Sequence, residues 1–254
     1  MNLTVIPLTA EKKEGKFCFY EELKRIFRKN KFTIKNGDVM VISSKFISNS
    51  QGRILKTTNS KVCNKAREIA KKYNANERFM EIVFRESDDI LGGVSGFVMS
   101  TTDGILAPNA GIDRSNSRET KIILYPNEPY RIAEELKRKI FLEFNLHVGI
   151  IIVDSRLMPT RIGTTGVTIA CAGIEPTKDL RGEKDLDGTP LKVTFQATAD
   201  NLASIANHKM GEGDDLNPIA IVRDSQCELT DRRILPEEMI ISYEQCVYIR
   251  SFSN

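Results

Sequence analysis

The sequence predicts an α+β fold in which mixed, largely antiparallel sheets are flanked by helices. Three observations support this prediction. The apolar strand patterns are short, tight-turn residues join some of them into hairpins, and helical patterns fall between them at irregular intervals. The sequence holds neither GxxxxGK[ST] nor a GxGxxG that leads from a strand into a helix. A P-loop fold and a Rossmann fold are therefore both excluded.

The first half of the chain predicts strands, helices and one hairpin. In chain order these are a strand over Leu3–Pro7, a helix that ends near Asn30, a turn and buried strand in "NGDVMVISSK", helices over Val62–Tyr73 and Asn76–Glu86, and a β-hairpin in "SGFVMSTTDGILAPNAGID". The first helix follows from the helical spacing of apolar residues between Phe17 and Phe27. Asn76 is expected to cap the third helix, and Asp103-Gly104 is expected to form the turn of the hairpin.

The second half predicts a long helix followed by three strands, a further helix and a last strand. They are the helix over Tyr130–Phe144, the strands "HVGIIIVD", "GVTIACAGI" and "PLKVTFQAT", the helix "ADNLASIANHKM" and the strand "PIAIVRD". The alternation in "PLKVTFQAT" predicts a half-buried strand. Residues 225–254 carry no clear pattern. The chain contains no repeat or linker, so residues 1–254 are expected to form a single domain.

Composition excludes several classes of function. The net charge of +3 is too small for a nucleic-acid footprint, and the basic clusters are mixed with apolar residues as on solvated helix faces. The N-terminus lacks the apolar core of a signal peptide, and the longest apolar run, Val148–Val153, is too short to span a membrane. We therefore expect a cytoplasmic protein that binds neither nucleic acid nor a membrane.

The cysteines and histidines narrow the chemistry further. Five scattered cysteines without a CxxC pair predict reduced, packed thiols rather than a zinc site or a disulfide framework. Only two histidines occur, His147 and His208, which excludes most zinc hydrolases and Ser-His-Asp enzymes. Catalysis must therefore depend on carboxylates, hydroxyls, basic side chains and bound ions.

Three acidic residues share a context that suits a metal ion. Asp113 ends "NAGID", Asp154 ends the apolar strand "VGIIIVD", and Glu212 lies between two glycines in "MGEGDDLNP". Mg²⁺ and Mn²⁺ take oxygen ligands and bridge carboxylates to nucleotide phosphates, so a glycine-rich loop could approach a phosphate despite its acids. Ser155 could add a hydroxyl ligand. The alternative for each acid is a turn or helix cap, and Asp214-Asp215 also fits a solvated loop.

In several stretches the chain resembles the coenzyme F420-0:L-glutamate ligases, also called γ-glutamyl ligases. These stretches are "NGDVMVISSKFIS" followed by "GRI", "NAGIDRSN", "VGIIIVDS", "GEKDLDGTPLKVT" and "ANHKMGEGDDLNPIAIVR". They match in order and spacing from about Leu3 to Arg223. The resemblance implies a family-specific, two-lobed ligase fold and a homodimer with its site close to the subunit interface.

The resemblance also implies a reaction. Enzymes of this family use GTP and a divalent metal ion to join L-glutamate to the terminal carboxylate of F420-0, and then add further glutamate by γ-linkage. The carboxylate would pass through an acyl phosphate, which the glutamate amine attacks. Two Mg²⁺ or Mn²⁺ ions are expected, and whether a K⁺ ion also takes part stays open.

Carrying the family's residues over one at a time gives the expected site. Asp113, Asp154 and Glu212 would be catalytic, and with Ser155 they would bind the metal ions. The expected nucleotide contacts are Pro7, Leu8, Thr9, Ala10, Ser44, Asn116, Met210, Gly211, Glu212, Gly213, Asp214, Asp215, Leu216 and Asn217. Arg156 and Arg161 would bind the acceptor, because arginine binds phosphate with two hydrogen bonds.

The sequence departs from the family pattern at two places. Asn49 stands where a lysine is frequent, although Lys45 and Arg53 could compensate unless Lys45 is a solvated lysine at a strand end. After Asp154 the chain reads "DSRLMPTRIGTTG" instead of Asp-Thr followed by Gly-Arg-Pro, an aromatic and arginines. Two further interpretations therefore stay open: the same chemistry on another phosphorylated carboxylic acid, or a non-catalytic GTP-binding regulator. The alternative for Arg156 and Arg161 is that both are surface arginines without a ligand.

Overall fold

The computed structural model describes residues 2–13, 15–56, 61–114 and 121–252, which form thirteen strands and seven α-helices. The strands are β1 Thr4–Leu8, β2 Val39–Ser43, β3 Ile54–Lys56, β4 Asp89–Val94, β5 Phe97–Thr102, β6 Ile105–Pro108, β7 Asp113–Arg114, β8 Lys121–Ile123, β9 Gly149–Leu157, β10 Thr164–Ala172, β11 Lys178–Asp179, β12 Phe195–Gln196 and β13 Ile219–Arg223. The helices are α1 Phe19–Lys29, α2 Ser44–Gln51, α3 Asn64–Lys72, α4 Glu77–Glu86, α5 Pro129–Phe144, α6 Thr198–Met210 and α7 Val247–Phe252. This α+β composition confirms the predicted fold class. Among the described helices, none combines the length and the apolar character needed to cross a membrane.

The chain divides into two compact units. The first unit consists of residues 1–10, 25–42 and 128–254, and the second of residues 11–24 and 43–127. The first unit contains the five-stranded sheet, in which the strand order is β1-β13-β2-β9-β10. Helix α1 carries residues of both units, because the division falls between Lys24 and Arg25.

The core of the first unit lies between this sheet and α6. Every second residue of the central strands faces the helix, as the pleat of a strand requires, for example Val39 with Val41 and Ile151 with Val153. Helix α6 contributes residues at helical spacing: Ala199, Leu202, Ala203, Ala206 and Met210. Most of these are alanines, so the helix backbone packs close to the sheet. Burying Leu202 and Met210 stabilises the contact by about 1.5–3 kcal/mol for each side chain.

The second unit carries two three-stranded sheets, β4-β5-β6 and β3-β8-β7. Its core packs Phe79, Met80 and Val83 of α4 against Val98 of β5, Ile122 of β8 and Ile112, which directly precedes β7. The predicted cap is confirmed, since Asn76 Oδ1 accepts a hydrogen bond from the Phe79 N–H. The predicted hairpin turn is confirmed too, because Asp103-Gly104 joins β5 to β6 with φ values of 50° and 73°.

One sequence prediction is wrong, and one helix of the second unit was not predicted. The half-buried strand expected in "PLKVTFQAT" shrinks to β12, which pairs only with the two residues of β11. No second layer of the described residues covers it, so Val193 and Phe195 are exposed despite their alternation. The short helix α2, which was not predicted, follows β2, and Gly52 ends it in a left-handed conformation with φ 74°.

The cysteines are all free, as predicted, but they are not all packed. Cys171 is buried between α6 and the sheet, and burial raises the pKa of its thiol to about 12. Cys18 and Cys63 are exposed. Cys63 is the N-cap of α3, where its sulfur accepts a hydrogen bond from the Ala66 N–H, and this role keeps it at the surface.

Candidate active site

The end of the β9–β10 hairpin carries the residues from "VGIIIVDS". The two strands pair antiparallel, with Asp154 opposite Val167 and Ser155 opposite Gly166. Successive side chains of a strand leave on opposite faces, so Asp154 and Ser155 point to different sides of the sheet. Ser155 lies on the face that α6 covers, since its hydroxyl contacts Asn207 of that helix.

Glu212 is held against this face by three neutral donors. The Ser155 hydroxyl, the Asn207 side-chain amide and the Thr164 hydroxyl donate to Glu212 Oε1 at 2.7, 2.8 and 3.2 Å. No donor of the described residues reaches Oε2. We call Glu212, Ser155, Thr164 and Asn207 the Glu212 cluster. Its carboxylate is exposed and meets no basic side chain within the described ranges, so its negative charge is available to a cation.

The end of α6 places Glu212 at this point. The Gly211 N–H donates to the Asn207 carbonyl, and Gly211 takes a φ of 79° that disfavours any side chain. A Cβ at Gly211 would lie 2.0 Å from Asp215 Oδ2, because the loop folds back over the helix end. Glycine is therefore required at position 211 for Glu212 to turn back toward Ser155.

Asp154 has a different environment on the opposite face of the sheet. Arg156, two residues along β9, places its Nε 2.7 Å from Asp154 Oδ2. The Arg156 side chain is only 4% exposed and that of Asp154 is 20% exposed. Arg156 is therefore not a surface arginine. Arg161 does lie in the exposed loop over residues 158–163, and its role in acceptor binding stays a prediction.

Two segments predicted to contact the nucleotide lie side by side in the first unit. The Thr9 hydroxyl donates to Asn217 Oδ1 at 2.9 Å, and the Ala10 N–H donates to the Leu216 carbonyl at 2.8 Å. Asn30 fixes the first segment through hydrogen bonds with both the N–H and the carbonyl of Thr9. Pro7 and Leu8 belong to β1, opposite Ala220 and Ile219 of β13. These contacts join residues about 200 positions apart into one loop surface.

Asp113 and Ser44 belong to the second unit. Asp113 begins β7 after the turn Asn109–Gly111, in which Ala110 takes a left-handed φ of 58° although it is buried. Asn109 Oδ1 and Ser100 Oγ hold this turn by hydrogen bonds to the backbone N–H groups of Val98 and Ala110. Such strain in a well-held turn is common at functional sites.

Lys45 contacts Asp113, with 2.5 Å between Nζ and Oδ2. Lys45 is therefore not a lone lysine at a strand end, and it lies within α2. Arg53, the other residue considered as a substitute cation, contacts Glu86 and donates to the Tyr125 carbonyl. Ser44 is buried at the start of α2. Asn116 lies outside the described residues, and its nucleotide contact stays a prediction.

The structure thus brings together part of the predicted metal site. Ser155 and Glu212 are in direct contact, Asp154 leaves the same strand on the other face, and Asp113 belongs to the other unit. Within the described ranges, no three His, Cys, Asp or Glu side chains are grouped as they would be around a metal ion. The Glu212 cluster nevertheless supplies carboxylate and hydroxyl oxygens, the donors that Mg²⁺ and Mn²⁺ prefer. These residues fit such an ion.

Sequence reasoning missed Asn207, Thr164 and Asn30. Asn207 lies five residues before Glu212. Because α6 ends at Met210, the chain turns between the two residues, and their side chains come into contact. Thr164 begins β10, and only the pairing of Thr164 with Leu157 brings it near Ser155. That pairing depends on the length of the hairpin loop, which the sequence pattern does not specify. Asn30 directly follows α1 and carries no pattern that links it to Thr9.

Comparison with known proteins identifies relatives that match most of the chain. A sequence model described as F420-0:Gamma-glutamyl ligase matches residues 15–224. A coenzyme F420:L-glutamate ligase of Archaeoglobus fulgidus is 36% identical over 189 residues, which cover 74% of this chain and 76% of the relative.

Two further relatives with the same name come from Methanocaldococcus jannaschii and Methanopyrus kandleri. The first is 35% identical over 193 residues, covering 76% of this chain and 77% of the relative. The second is 32% identical over 197 residues, covering 77% and 78% respectively. The residues matched by the family model include every member of the Glu212 cluster. The chain therefore belongs to the F420-0:gamma-glutamyl ligase family.

Proposed function

We propose that this protein joins L-glutamate to the terminal carboxylate of F420-0, and then adds γ-linked glutamate, in a reaction that requires GTP and a divalent metal ion. Family membership and the names of the relatives support the ligase activity. One observation supports the metal-dependent chemistry above all others: Ser155 and Glu212, 57 residues apart, meet at 2.7 Å at the end of the hairpin.

The proposed reaction has two steps. A carboxylate oxygen of F420-0 attacks the γ-phosphorus of GTP, which gives an acyl phosphate and releases GDP. The amine nitrogen of L-glutamate then attacks the acyl carbon, the bond to the phosphate oxygen breaks, and phosphate leaves with the electron pair. The amine loses a proton to solvent, and the product is an amide. A bound divalent ion would neutralise the charge on the transferring phosphoryl group.

The residues of this chain prepare a negative site for that ion. Neutral donors hold Glu212 without cancelling its charge. The C-terminal end of α6 adds the partial negative charge of its last carbonyls, and such helix ends favour cations. Under this proposal Ser155 and Glu212 hold a metal ion, and Asp113 and Asp154 stay predicted ligands. Asp154 would bind an ion in competition with Arg156, which now contacts its Oδ2.

The surface formed by Thr9–Ala10 and Met210–Asn217 would contact the nucleotide. Asp214 and Asp215 of this surface repel phosphate unless a cation lies between them and the nucleotide. The loop therefore fits a metal-nucleotide complex better than a bare nucleotide. Arg161, in the exposed loop over residues 158–163, would contact the phosphorylated part of the acceptor.

Mass spectrometry tests this proposal. We expect F420-0 incubated with the protein, L-glutamate, GTP and Mn²⁺ or Mg²⁺ to gain one or more glutamyl units. The Glu212→Gln variant should lose at least about 100-fold in turnover, because it removes a charge that acts on phosphoryl transfer. Glu237→Gln is the matched control, since Glu237 is an exposed glutamate of the same unit in a short 3-10 turn.

The outcomes separate the alternatives. Full turnover by Glu212→Gln contradicts the metal role of Glu212. Wild-type protein that binds GTP with Mn²⁺ but forms no product with F420-0 favours another phosphorylated carboxylic acid as acceptor. If GTP is bound but is not consumed with any phosphorylated carboxylic acid, a regulatory role becomes the better explanation.

We also propose that the protein is a homodimer. The first unit exposes several large apolar side chains in and near the loop over residues 158–163 and in the segment over residues 178–196. They include Ile162, Leu186 and Val193, which are 107%, 107% and 83% exposed. A second copy that covers them would remove apolar surface from water. Sedimentation velocity should show a dimer, and Ile162→Lys with Val193→Lys should shift it toward the monomer.

A further inference from the structure

We propose that Asn207 is the positioning residue of the metal site: its side-chain amide fixes Glu212 and Ser155 in contact before an ion binds. This role rests on the proposed metal-dependent function. Asn207 Nδ2 donates to Glu212 Oε1 at 2.8 Å and to Ser155 Oγ at 3.3 Å. One amide group therefore links the loop after α6 to strand β9.

The hydrogen-bond network determines the orientation of this amide. The Ser155 hydroxyl gives its proton to Glu212 Oε1, so its oxygen accepts from Asn207. Turning the amide over would place Asn207 Oδ1 against the Glu212 carboxylate, two acceptors without a proton between them. Asn207 therefore acts as a donor to the two predicted ligands.

The backbone of Asn207 is fixed by the packing of α6 on β10. A Cβ added at Gly166 would lie 2.7 Å from both the Ala203 carbonyl oxygen and Asn207 Cβ, so the helix approaches the strand as closely as a glycine allows. The Ser204 hydroxyl donates to the Gly166 carbonyl at 2.8 Å. Asp200 Oδ1 accepts from the Thr168 N–H at 2.8 Å.

These contacts follow one line along α6. Asp200, Ser204 and Asn207 are spaced four and three residues apart and therefore lie on one face of the helix. The first two bind the backbone of β10, which sets the register of the helix along the strand. The third then reaches Ser155 and Glu212. The position of the amide is thus imposed by the fold and not by Glu212 itself.

Such an arrangement reduces the conformational entropy that the Glu212 side chain loses when an ion binds. A free glutamate side chain on a loop has several rotamers, and ion binding would have to restrict them. Asn207 restricts Glu212 in advance. Removing a partner that orients a ligand in this way lowers metal affinity by about 10- to 100-fold in other proteins.

The test measures binding of Mn²⁺ alone, by electron paramagnetic resonance of the free ion. We expect Asn207→Ala to raise the Kd for Mn²⁺ by at least about tenfold. Alanine keeps the Cβ that packs on Gly166, so the helix contact is retained. Asn201→Ala is the matched control, because Asn201 is an exposed asparagine of the same helix. Asn207→Leu keeps most of the side-chain volume and should weaken binding similarly.

A kinetic measurement separates positioning from a direct part in catalysis. In Asn207→Ala the apparent KM for Mn²⁺ should rise, and kcat should return close to the wild-type value at saturating Mn²⁺. A kcat that stays low at saturation contradicts the proposal, and so does a wild-type Kd in both Asn207 variants. Wild-type protein that binds no Mn²⁺ would overturn the proposed metal dependence together with this role. Unchanged binding in the variants alone would leave the metal site intact and overturn only the role of Asn207.

Discussion

Asp154 and Glu212 are two carboxylates at the same end of the β9–β10 hairpin, but their surroundings differ. Asp154 contacts the guanidinium of Arg156, whose side chain is almost completely buried. Glu212 is exposed and accepts from two hydroxyls and one amide. The two lie on opposite faces of the sheet, because the strand alternates between Asp154 and Ser155.

This difference indicates that the two carboxylates have different roles. A buried arginine without its carboxylate would be expensive, so Asp154 has a structural function even in the absence of a metal ion. Glu212 gains hydrogen bonds but no opposite charge from the described residues, and the end of α6 adds to the negative potential. The first carboxylate therefore stabilises the fold, and the second retains an uncompensated charge suited to a cation. The following predictions test that contrast.

The largest effect is expected for Asp154→Asn. The change removes the negative charge beside Arg156 and should lower the free energy of unfolding by about 3 kcal/mol. Glu212→Gln keeps an acceptor for the same donors and should change that free energy by less than about 0.5 kcal/mol. Urea denaturation of the two variants measures both values.

Asp187→Asn is the matched control, since Asp187 is exposed in a surface turn. A loss of stability in Glu212→Gln as large as that in Asp154→Asn would contradict the contrast. Both variants should lose turnover under the proposed function. Glu212→Gln is therefore expected to lose activity but not stability, whereas Asp154→Asn is expected to lose both.

The second prediction concerns the support beneath the Glu212 cluster. Gly166→Ala should lower the free energy of unfolding by about 2 kcal/mol, because the added methyl group meets the backbone of α6 at 2.7 Å. Gly92→Ala is the control, a strand glycine with no atom within 4 Å of the added methyl group. Equal midpoints of urea denaturation for the two variants would show that α6 can move away from β10 without loss.

The sequence was sufficient for the fold class and for most elements. The Asn76 cap, the Asp103-Gly104 turn and the apolar strands carry local signals, and each lies where those signals place it. "PLKVTFQAT" failed because alternation predicts a strand only if another layer covers one face, and that information is not local. Helix α2 was missed because eight mostly polar residues carry little periodicity.

The candidate site shows the same difference between local sequence signals, which were recognised, and contacts between distant elements, which were not. Motifs pointed to Glu212 and Ser155, which are in contact, but they also grouped Asp154 with Ser155 although the two side chains leave the strand on opposite faces. The burial of Arg156 was missed, since an arginine after "DS" is typical of an exposed strand end. Asn207 was missed because its role depends on how closely α6 approaches Gly166, a distance that follows from packing between elements distant in sequence.

The third prediction uses a third acid that packs on the same sheet, Asp200 in the first turn of α6. Desolvation by burial raises the pKa of Asp200 above its usual value of 3.8, although the Thr168 N–H opposes this. An acid with a raised pKa stabilises the folded state fully at pH below 3.8 and loses that contribution as pH rises through its folded pKa.

Asp200→Asn should therefore be more stable than the wild type at neutral pH, because the substituted amide keeps an acceptor for Thr168 without the buried charge. The difference should vanish as pH falls below 3.8. Urea denaturation from about pH 3 to about pH 7 measures it. A variant that is less stable at neutral pH would show that the charged form of Asp200 is needed for the contact with β10. The effect should be smaller than the first two.

The smallest effect is expected for the ion pair between Lys45 and Asp113 in the second unit. Their side chains are 52% and 44% exposed, so water and salt screen the contact. Lys45→Met should change the free energy of unfolding by less than about 0.5 kcal/mol, and less still at high salt. Lys61→Met, at an exposed lysine of the same unit, is the control. A loss as large as that of Asp154→Asn would mean that exposure does not decide which carboxylates of this protein stabilise its fold.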